Sequence, residues 1–580
     1  MNMKKALSVL LILCFAVCTL TACFDEGSSE TTGVVTDIIT EKETEITEND
    51  TDATDGTTNE ESSADASSSA DDSEPSFDTQ SDIKTEQSTQ SPTEDTTPAD
   101  DITTRHPMDT EFSDNSTFTP ALTGEPEDVT TLPDISEETI YLPNENVDVP
   151  LKEEFVILTN TDGGDWDNRD FFEDSESTDP VRNAVYKRKK LIDAEFDVSI
   201  KVIEGVKNMN ISRLVAVSAI AGANEYDIVV STAQTMYSLA IEKYLVNTDN
   251  IMSMDTSSDV WDQWMISQTT LQDKNFFVTG DITTADEDSL WVMMYNQSLA
   301  KSVGIDENEI SGLVKSGKWT LDKLLQYCKS FAYTDLDKDN AVSPKDRFAI
   351  ATTDRIMGAL YFGAGRRIAV NGVHGLNLQG SSEHDTVLDK IAEIYVPSYR
   401  YTFDSRNHST DTSLSRQMFN EDRSLFFSDT LKDYKHFKNK SGVVVIPMPK
   451  ADESQEQYAS LYDSQASMFA GVVKMPNNRV ERSGAVMQSL AEEGKKLLTP
   501  AYYGQFDKQS LEMMDHIMEN RVFDFGYNVN IGNTSSIYHG ITELIRSNNT
   551  KDYSHTFSRL HHTVTAALDD LEKSIYYTQQ

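Results

Sequence analysis

The composition of this 580-residue chain breaks near residue 150, and that break decides where a folded core can lie. From Phe24 to Pro150 the chain is Thr, Ser, Asp and Glu with scattered Pro, as in Thr89-Gln90-Ser91-Pro92-Thr93-Glu94-Asp95. This stretch holds 35 acidic residues against Lys42, Lys84 and Arg105, a net charge of −32 out of −48 for the whole chain. So little apolar surface cannot offset the entropy of ordering, and the like charges repel one another. Residues 23–152 are therefore expected to form a disordered tether, a solvated spacer of about 60 Å end to end if it behaves as a flexible coil. A core has to be sought in residues 153–580. Neither part has the basic surface that would neutralise phosphates, which argues against a nucleic-acid partner.

Lys4 and Lys5 precede an apolar run from Ala6 to Thr19, followed by Leu20-Thr21-Ala22-Cys23. A charged start, a short apolar segment and small residues before a cysteine are the parts of a secretory signal, and the run is shorter than the roughly 20 residues that span a bilayer. Leu-Thr-Ala-Cys resembles the bacterial lipobox. The resemblance implies that residues 1–22 are removed, that Cys23 becomes the acylated (palmitate-bearing) mature N-terminus, and that the protein sits at the outer face of the cell membrane. Cys14 and Cys18 would leave with the signal. Only Cys328 would then remain as a free thiol, so no intramolecular disulfide is expected.

From Glu154 onward strands alternate with helices. Glu154–Thr159, Asp197–Ile203 and Tyr226–Val230 read as strands, separated by helices over 179–196 and 211–223. This order predicts a mainly parallel α/β sheet whose ligands sit beyond the carboxyl ends of the strands. About 430 residues exceed what one core supports, so two lobes are expected. Ser289–Asn296 reads as a strand leaving the first lobe and Ser424–Asp429 as one returning to it. That places lobe 1 at about 153–295 and 430–580, and lobe 2 at about 296–429. Thr320 is the expected cap of an amphipathic helix reaching Phe331, with Cys328 as a small core residue.

Acidic residues at Asp335, Asp337, Asp339 and Asp346, with the carbonyl of Ala341, match the spacing of a calcium loop. Asn340 stands where Gly usually turns the chain, and Asp346 where a longer Glu usually closes the site. Structural Ca2+ and a plain acidic surface turn both fit this stretch. No nucleophile elbow, zinc-binding helix, Walker loop or dinucleotide fingerprint occurs, and carboxylate pairs carry no information in a chain with 97 acidic residues. No enzyme activity is expected.

Several segments together point to a family. Trp319-Thr320-Leu321-Asp322, the acidic loop, Ile446-Pro447-Met448-Pro449-Lys450-Ala451-Asp452-Glu453, Thr499-Pro500-Ala501-Tyr502-Tyr503 and Arg521-Val522-Phe523-Asp524-Phe525-Gly526 resemble extracellular solute-binding lipoproteins of bacterial ABC importers, of the carbohydrate-associated type. The resemblance runs from about residue 153 to 580. It implies an α/β, two-lobed periplasmic-binding-protein-like fold with a hinge, a monomer that closes on a sugar or oligosaccharide and hands it to permease subunits. A surface glycoside hydrolase and a ligand-sensing lipoprotein without transport are the alternatives. A sugar site needs aromatic rings and planar charged groups. Trp166, Asp167, Arg169 and Asp170, in the loop after the first strand, are the expected contacts, with Arg366 closing from the other lobe. Asp281 and Trp291 complete the candidates, each equally readable as a turn cap or a core residue.

Replacing Cys23 by Ala is expected to block cleavage by the lipoprotein peptidase or to release the protein from the membrane. Detergent-phase partitioning unaltered by Cys23→Ala would contradict the anchor.

Overall fold

The computed structural model describes residues 154–159, 169–205, 211–331, 333–407, 413–466 and 468–579. Cys23, the signal and the acidic stretch expected as a tether lie outside the described residues. In chain order the strands are β1 (Glu154–Thr159), β2 (Ser199–Glu204), β3 (Ile228–Ser231), β4 (Trp291–Asn296), β5 (Phe348–Thr352), β6 (Ala369–Gly372), β7 (Gly375–Leu378), β8 (Thr402–Asp404), β9 (Ser424–Thr430), β10 (Val443–Pro447), β11 (Ser460–Leu461), β12 (Phe469–Val472) and β13 (Arg521–Val522).

The first sheet has the order β12-β3-β1-β2, with β1 parallel to β2 and β3, and β12 antiparallel to β3. Strand β1 is apolar at four successive positions because both of its faces are covered. Phe155 and Ile157 pack with Ile192, Ile200, Val486 and Leu490 on one side, and Val156 and Leu158 face Val229 and Met236 on the other. Helix Pro180–Glu195 connects β1 to β2. It starts where the Asp179 carboxylate accepts from the amides of Val181 and Arg182 and Pro180 presets the first turn.

The second sheet has the order β10-β4-β9-β5-β8, in which β4 is antiparallel to β9 and β10 while β5 is parallel to β8 and β9. This corrects the division expected from sequence. Trp291 lies opposite Thr430 and Met293 opposite Ser428, so the segments read as leaving and re-entering the first lobe are neighbours inside the second sheet. An apolar run shows that a strand is buried on both faces, but its pairing partner lies more than a hundred residues away and leaves no local trace. Helix Lys508–Met518 packs on β10, and helices Ser536–Arg546 and Tyr553–Tyr576 pack on each other, so most of the C-terminal region also belongs to the second lobe. The cap at Thr320 forms as expected, accepting from the Lys323 amide, and Cys328 is buried with its thiol pushed up by burial.

Among the described residues the chain passes between the sheets three times: outward over 280–290, back over 448–468, and outward again over 494–507. The crossings are bonded to one another. Leu290 bridges antiparallel to Tyr462, the Asp463 amide donates to the Ser289 carbonyl at 2.9 Å, and the Thr499 hydroxyl of the third crossing donates to Asp281 of the first at 2.6 Å; β11, in the second crossing, also pairs in parallel with β13. Gly494 begins a π-helical turn, and a Cβ there would lie 1.8 Å from the Asp281 carbonyl oxygen, so the third crossing approaches the first closely only through glycine. Apolar contact also continues from lobe to lobe. Tyr237 meets Phe277 at 5.0 Å and Phe525 at 5.6 Å, and Phe469 meets Phe523 at 6.1 Å.

The first lobe is pinned at the amino edge of its sheet by Asp227, which is fully buried. Its carboxylate accepts from the Val156 amide at 2.9 Å and from Arg479 and Arg482 at 2.6 and 3.0 Å, tying helix Asn477–Glu493 to β1. Removing one partner of a buried pair strands the remaining charges. Asp227→Ala is therefore expected to cost about 3–5 kcal/mol of stability, read as a lowered urea midpoint. A loss below about 1 kcal/mol would show that the guanidinium groups find other partners.

Candidate functional site

Parallel strands aim their carboxyl ends at one edge, and in the second sheet that edge gathers charged side chains. Strand β5 runs into Thr353-Asp354-Arg355, the cap of helix Ile356–Gly363, while β8 ends at Asp404 and β9 at Asp429 and Thr430. The antiparallel β4 begins at the same edge with Trp291.

Arg355 is the centre of this group. Its Nη1 lies 2.6 Å from Asp463 Oδ2, and its guanidinium sits 5.5 Å above the Trp291 ring, whose indole N–H donates to the same carboxylate oxygen at 3.1 Å. Asp463 belongs to the second crossing, so Arg355 and Trp291 tie the sheet edge to the segment that joins the lobes. Burial works against the Arg355 charge, but the carboxylates of Asp463 and Asp429 outweigh it and hold the group protonated. Burial pushes the Asp429 carboxyl up, with Arg355 opposing. Outward from this pair the site opens to solvent. Asp354 accepts from Arg406 at 2.7 Å and from Arg546 at 3.2 Å, and the exposed fraction of the side chain rises from 0% for Asp463 through 21% for Arg355 to 39% for Arg406. Tyr395 donates to Asp404 at 2.6 Å, and the rings of Tyr527 and Tyr538 meet at 4.8 Å behind the edge. Such an edge offers planar donors and carboxylate acceptors, backed by largely buried aromatic rings. It suits a polyhydroxylated neutral molecule better than an anion, because each guanidinium already faces a carboxylate.

The residues singled out from sequence fall in different places. Trp166 and Asp167 lie outside the described residues, and Arg169 opens the short 3-10 turn Arg169–Phe171. Asp170 is engaged with the first crossing: its Oδ2 accepts from the Thr284 amide at 2.6 Å and from the hydroxyls of Thr283 and Thr284 at 2.8 and 3.1 Å. Asp281 accepts from the Thr499 hydroxyl at 2.6 Å, and burial raises its carboxyl. Arg366 holds both oxygens of Asp385, the cap of helix Thr386–Tyr395, at 2.6 and 3.0 Å. Trp291 is fully buried beneath Arg355 and presents no free ring face to a solute in this structure. Sequence reasoning missed Arg355, Asp354 and Asp463. The charged pair Asp354-Arg355 was a legible signal, since only Thr353 separates it from an apolar strand; nothing local marks Asp463.

In the acidic loop, Asp335, Asp337 and Asp346 each bring one carboxylate oxygen to within 4.8 Å of the others. Asp339 does not join them; its Oδ1 accepts from the Ala341 amide at 2.8 Å. Lys338 and Asn340 both take the left-handed conformation, with φ of 60° and 59°, so Asn replaces Gly at the turn with its own tolerance of that region. Asp346, buried, accepts from the Ser343 amide and the Tyr333 hydroxyl, which orient it toward the loop. Three carboxylate oxygens thus gather in the loop, where calcium takes six to eight oxygen ligands.

Among the described residues no helix is long and apolar enough to cross a membrane. No family model and no curated protein sequence matches the chain. Among solved structures the chain is similar to an ABC substrate-binding protein from Listeria monocytogenes in complex with cycloalternan. The identity is 13%, the match covers 73% of this chain and 98% of that chain, and the TM-score is 0.44.

If calcium binds the loop, it should raise the melting temperature of the wild type and leave Asp335→Asn unmoved. Titration calorimetry showing no heat with calcium would leave the segment an acidic surface turn.

Proposed function

We propose that residues 153–580 form a solute-binding protein that captures a sugar or oligosaccharide between its two lobes and delivers it to ABC permease subunits, held at the membrane by a lipid on Cys23. The single observation that carries the reading is the pair of sheets joined by three bonded crossings, with a polar, aromatic-backed carboxyl edge tied to those crossings through Asp463. A ligand bound at that edge touches groups whose positions depend on the crossings, which is what capture by lobe closure requires. Arg406, Asp354, Arg546 and Arg355 are the groups placed to meet hydroxyls, while Trp291 and Asp463 position Arg355. The loop after β1, with Trp166, Asp167 and Arg169, is the proposed contribution of the first lobe. The acidic stretch before Glu153 is proposed as the spacer, and Asp335, Asp337 and Asp346 as a structural calcium site. The segments that resemble carbohydrate-associated binding lipoproteins support the same reading.

A thermal-shift screen against mono- and oligosaccharides tests it, since a ligand that binds only the folded state raises apparent stability. For a ligand found in this way, Arg406→Ala is expected to weaken binding about tenfold or more, about 1.4 kcal/mol, with the melting temperature of the free protein nearly unchanged because the pair with Asp354 is half-exposed. Hydrolysis of the oligosaccharides during the screen would replace binding by catalysis as the function. Full affinity in Arg406→Ala would move the site away from this edge.

A further inference from the structure

The first crossing carries three consecutive carboxyls, Asp286-Glu287-Asp288, in a single short turn just before the strand that enters the second sheet. Every element packed against them comes from one of the crossings or from the two lobes they join. Asp286 is buried and faces Glu287, Asp262 and Arg521; Arg521 in turn holds Asp262 at 2.6 Å. Glu287 faces Asp286, Asp281 and Arg521, and the Tyr503 hydroxyl reaches it at 3.3 Å. Asp288 accepts from the Tyr502 hydroxyl at 2.7 Å, with Asp170 on the side of the first lobe and Lys432 and Lys435 on the side of the second. Glu287 and Asp288 are half-buried, so protons can reach a position that is otherwise enclosed. One guanidinium, Arg521, faces both Asp286 and Glu287, and the carboxyls outnumber the cations. Proximity of like charges in a confined place disfavours the ionised form.

We propose that these carboxyls make the hold between the crossing segments dependent on pH near neutrality, so that the freedom of the two lobes to move changes with external acidity. Burial first, and Asp170 next among the repulsive neighbours, raise the Asp288 carboxyl to about 7, with Tyr502, Lys432 and Lys435 opposing. Asp286 and Glu287 are also raised, chiefly by burial. A carboxyl raised in the folded state binds a proton that the unfolded chain, near the ordinary 3.8, has already lost. Stability is then highest on the acid side and falls as pH rises through the raised value. Above neutrality the turn carries charge, and repulsion by Asp170 on the first-lobe side and attraction by Lys432 and Lys435 on the other both draw it toward the second lobe and away from the first. Below that point both forces vanish and the neutral turn packs as a polar core.

The proposal rests on the reading of a two-lobed body that opens and closes, but its test needs no solute. Hydrogen exchange of the full chain, followed from pH 5 to 8 and corrected for the intrinsic rate, reads the peptides covering 285–290 and 460–463. Their protection is expected to fall as pH rises from 5 to about 7 and to level off above it, alongside the melting temperature. In Asp288→Asn the protection should persist at pH 8. Tyr502→Phe, which removes only the donated hydrogen bond, should move the midpoint upward and keeps the test open should the Asn variant fail to fold. Protection independent of pH in the wild type, or a wild-type pH profile in Asp288→Asn and Tyr502→Phe alike, would overturn the proposal. Failure of every sugar in the ligand screen would instead count against the solute reading and leave this result standing.

Discussion

The structure depends on three chain segments meeting side by side between two sheets. Each sheet completes itself only with residues from the far side of a crossing: β12 joins the first sheet after the whole of the second has been built, and helix Lys508–Met518 covers β10 after the chain has visited the first lobe again. Neither lobe is therefore complete without chain that has passed through the crossings. Backbone pairing of Leu290 with Tyr462 and of β11 with β13 satisfies polar groups that would otherwise be stranded between two apolar cores.

The same place concentrates buried charge. Arg188 donates to the carbonyls of Ile282 at 2.9 Å and Leu490 at 3.2 Å, and also to that of Asp170, which binds helix Pro180–Glu195 to the first crossing and to helix Asn477–Glu493. Burial lowers its pKa to about 10, still far enough above neutrality to keep the charge. A buried guanidinium with several carbonyl acceptors is costly to form but specific, because no apolar packing can reproduce its geometry. The acidic turn at 286–288 is the opposite case, with too few cations for its carboxyls. Arg188, held by three carbonyls, and Asp288, held by the Tyr502 hydroxyl with Asp170 beside it, thus lie within one set of crossings.

Site chemistry follows from where this frame meets the second sheet. Asp463 is placed by the crossing, and it fixes Arg355 against Trp291; the pairs of Asp354 with Arg406 and Arg546 lie further out and are more exposed. A buried anchor with an exposed polar rim separates the groups that determine shape from the groups that make contact. Loss of a rim pair leaves the fold intact, whereas loss of the anchor disturbs both.

What the sequence by itself determined was local. The break in composition at 150, the helix starts at Asp179 and Thr320, the apolar strands and the spacing of Asp335, Asp337 and Asp346 are written in neighbouring residues, and each was readable because its cause lies within a turn or two of chain. Asn340 adopting the left-handed turn belongs to the same class. Tertiary structure alone decided which sheet β4, β9 and β10 joined, because strand pairing is settled by partners far along the chain and an apolar run fits either sheet. It also decided the fate of the candidate site residues. Trp291 became an anchor under Arg355, Asp170 and Asp281 became ties to the crossings, and Arg366 became a clamp on a helix cap, since the role of a polar or aromatic side chain is set by what it meets. Asp463, in a segment with no motif, gained its role only because a crossing delivered it to the edge of a sheet built from other parts of the chain.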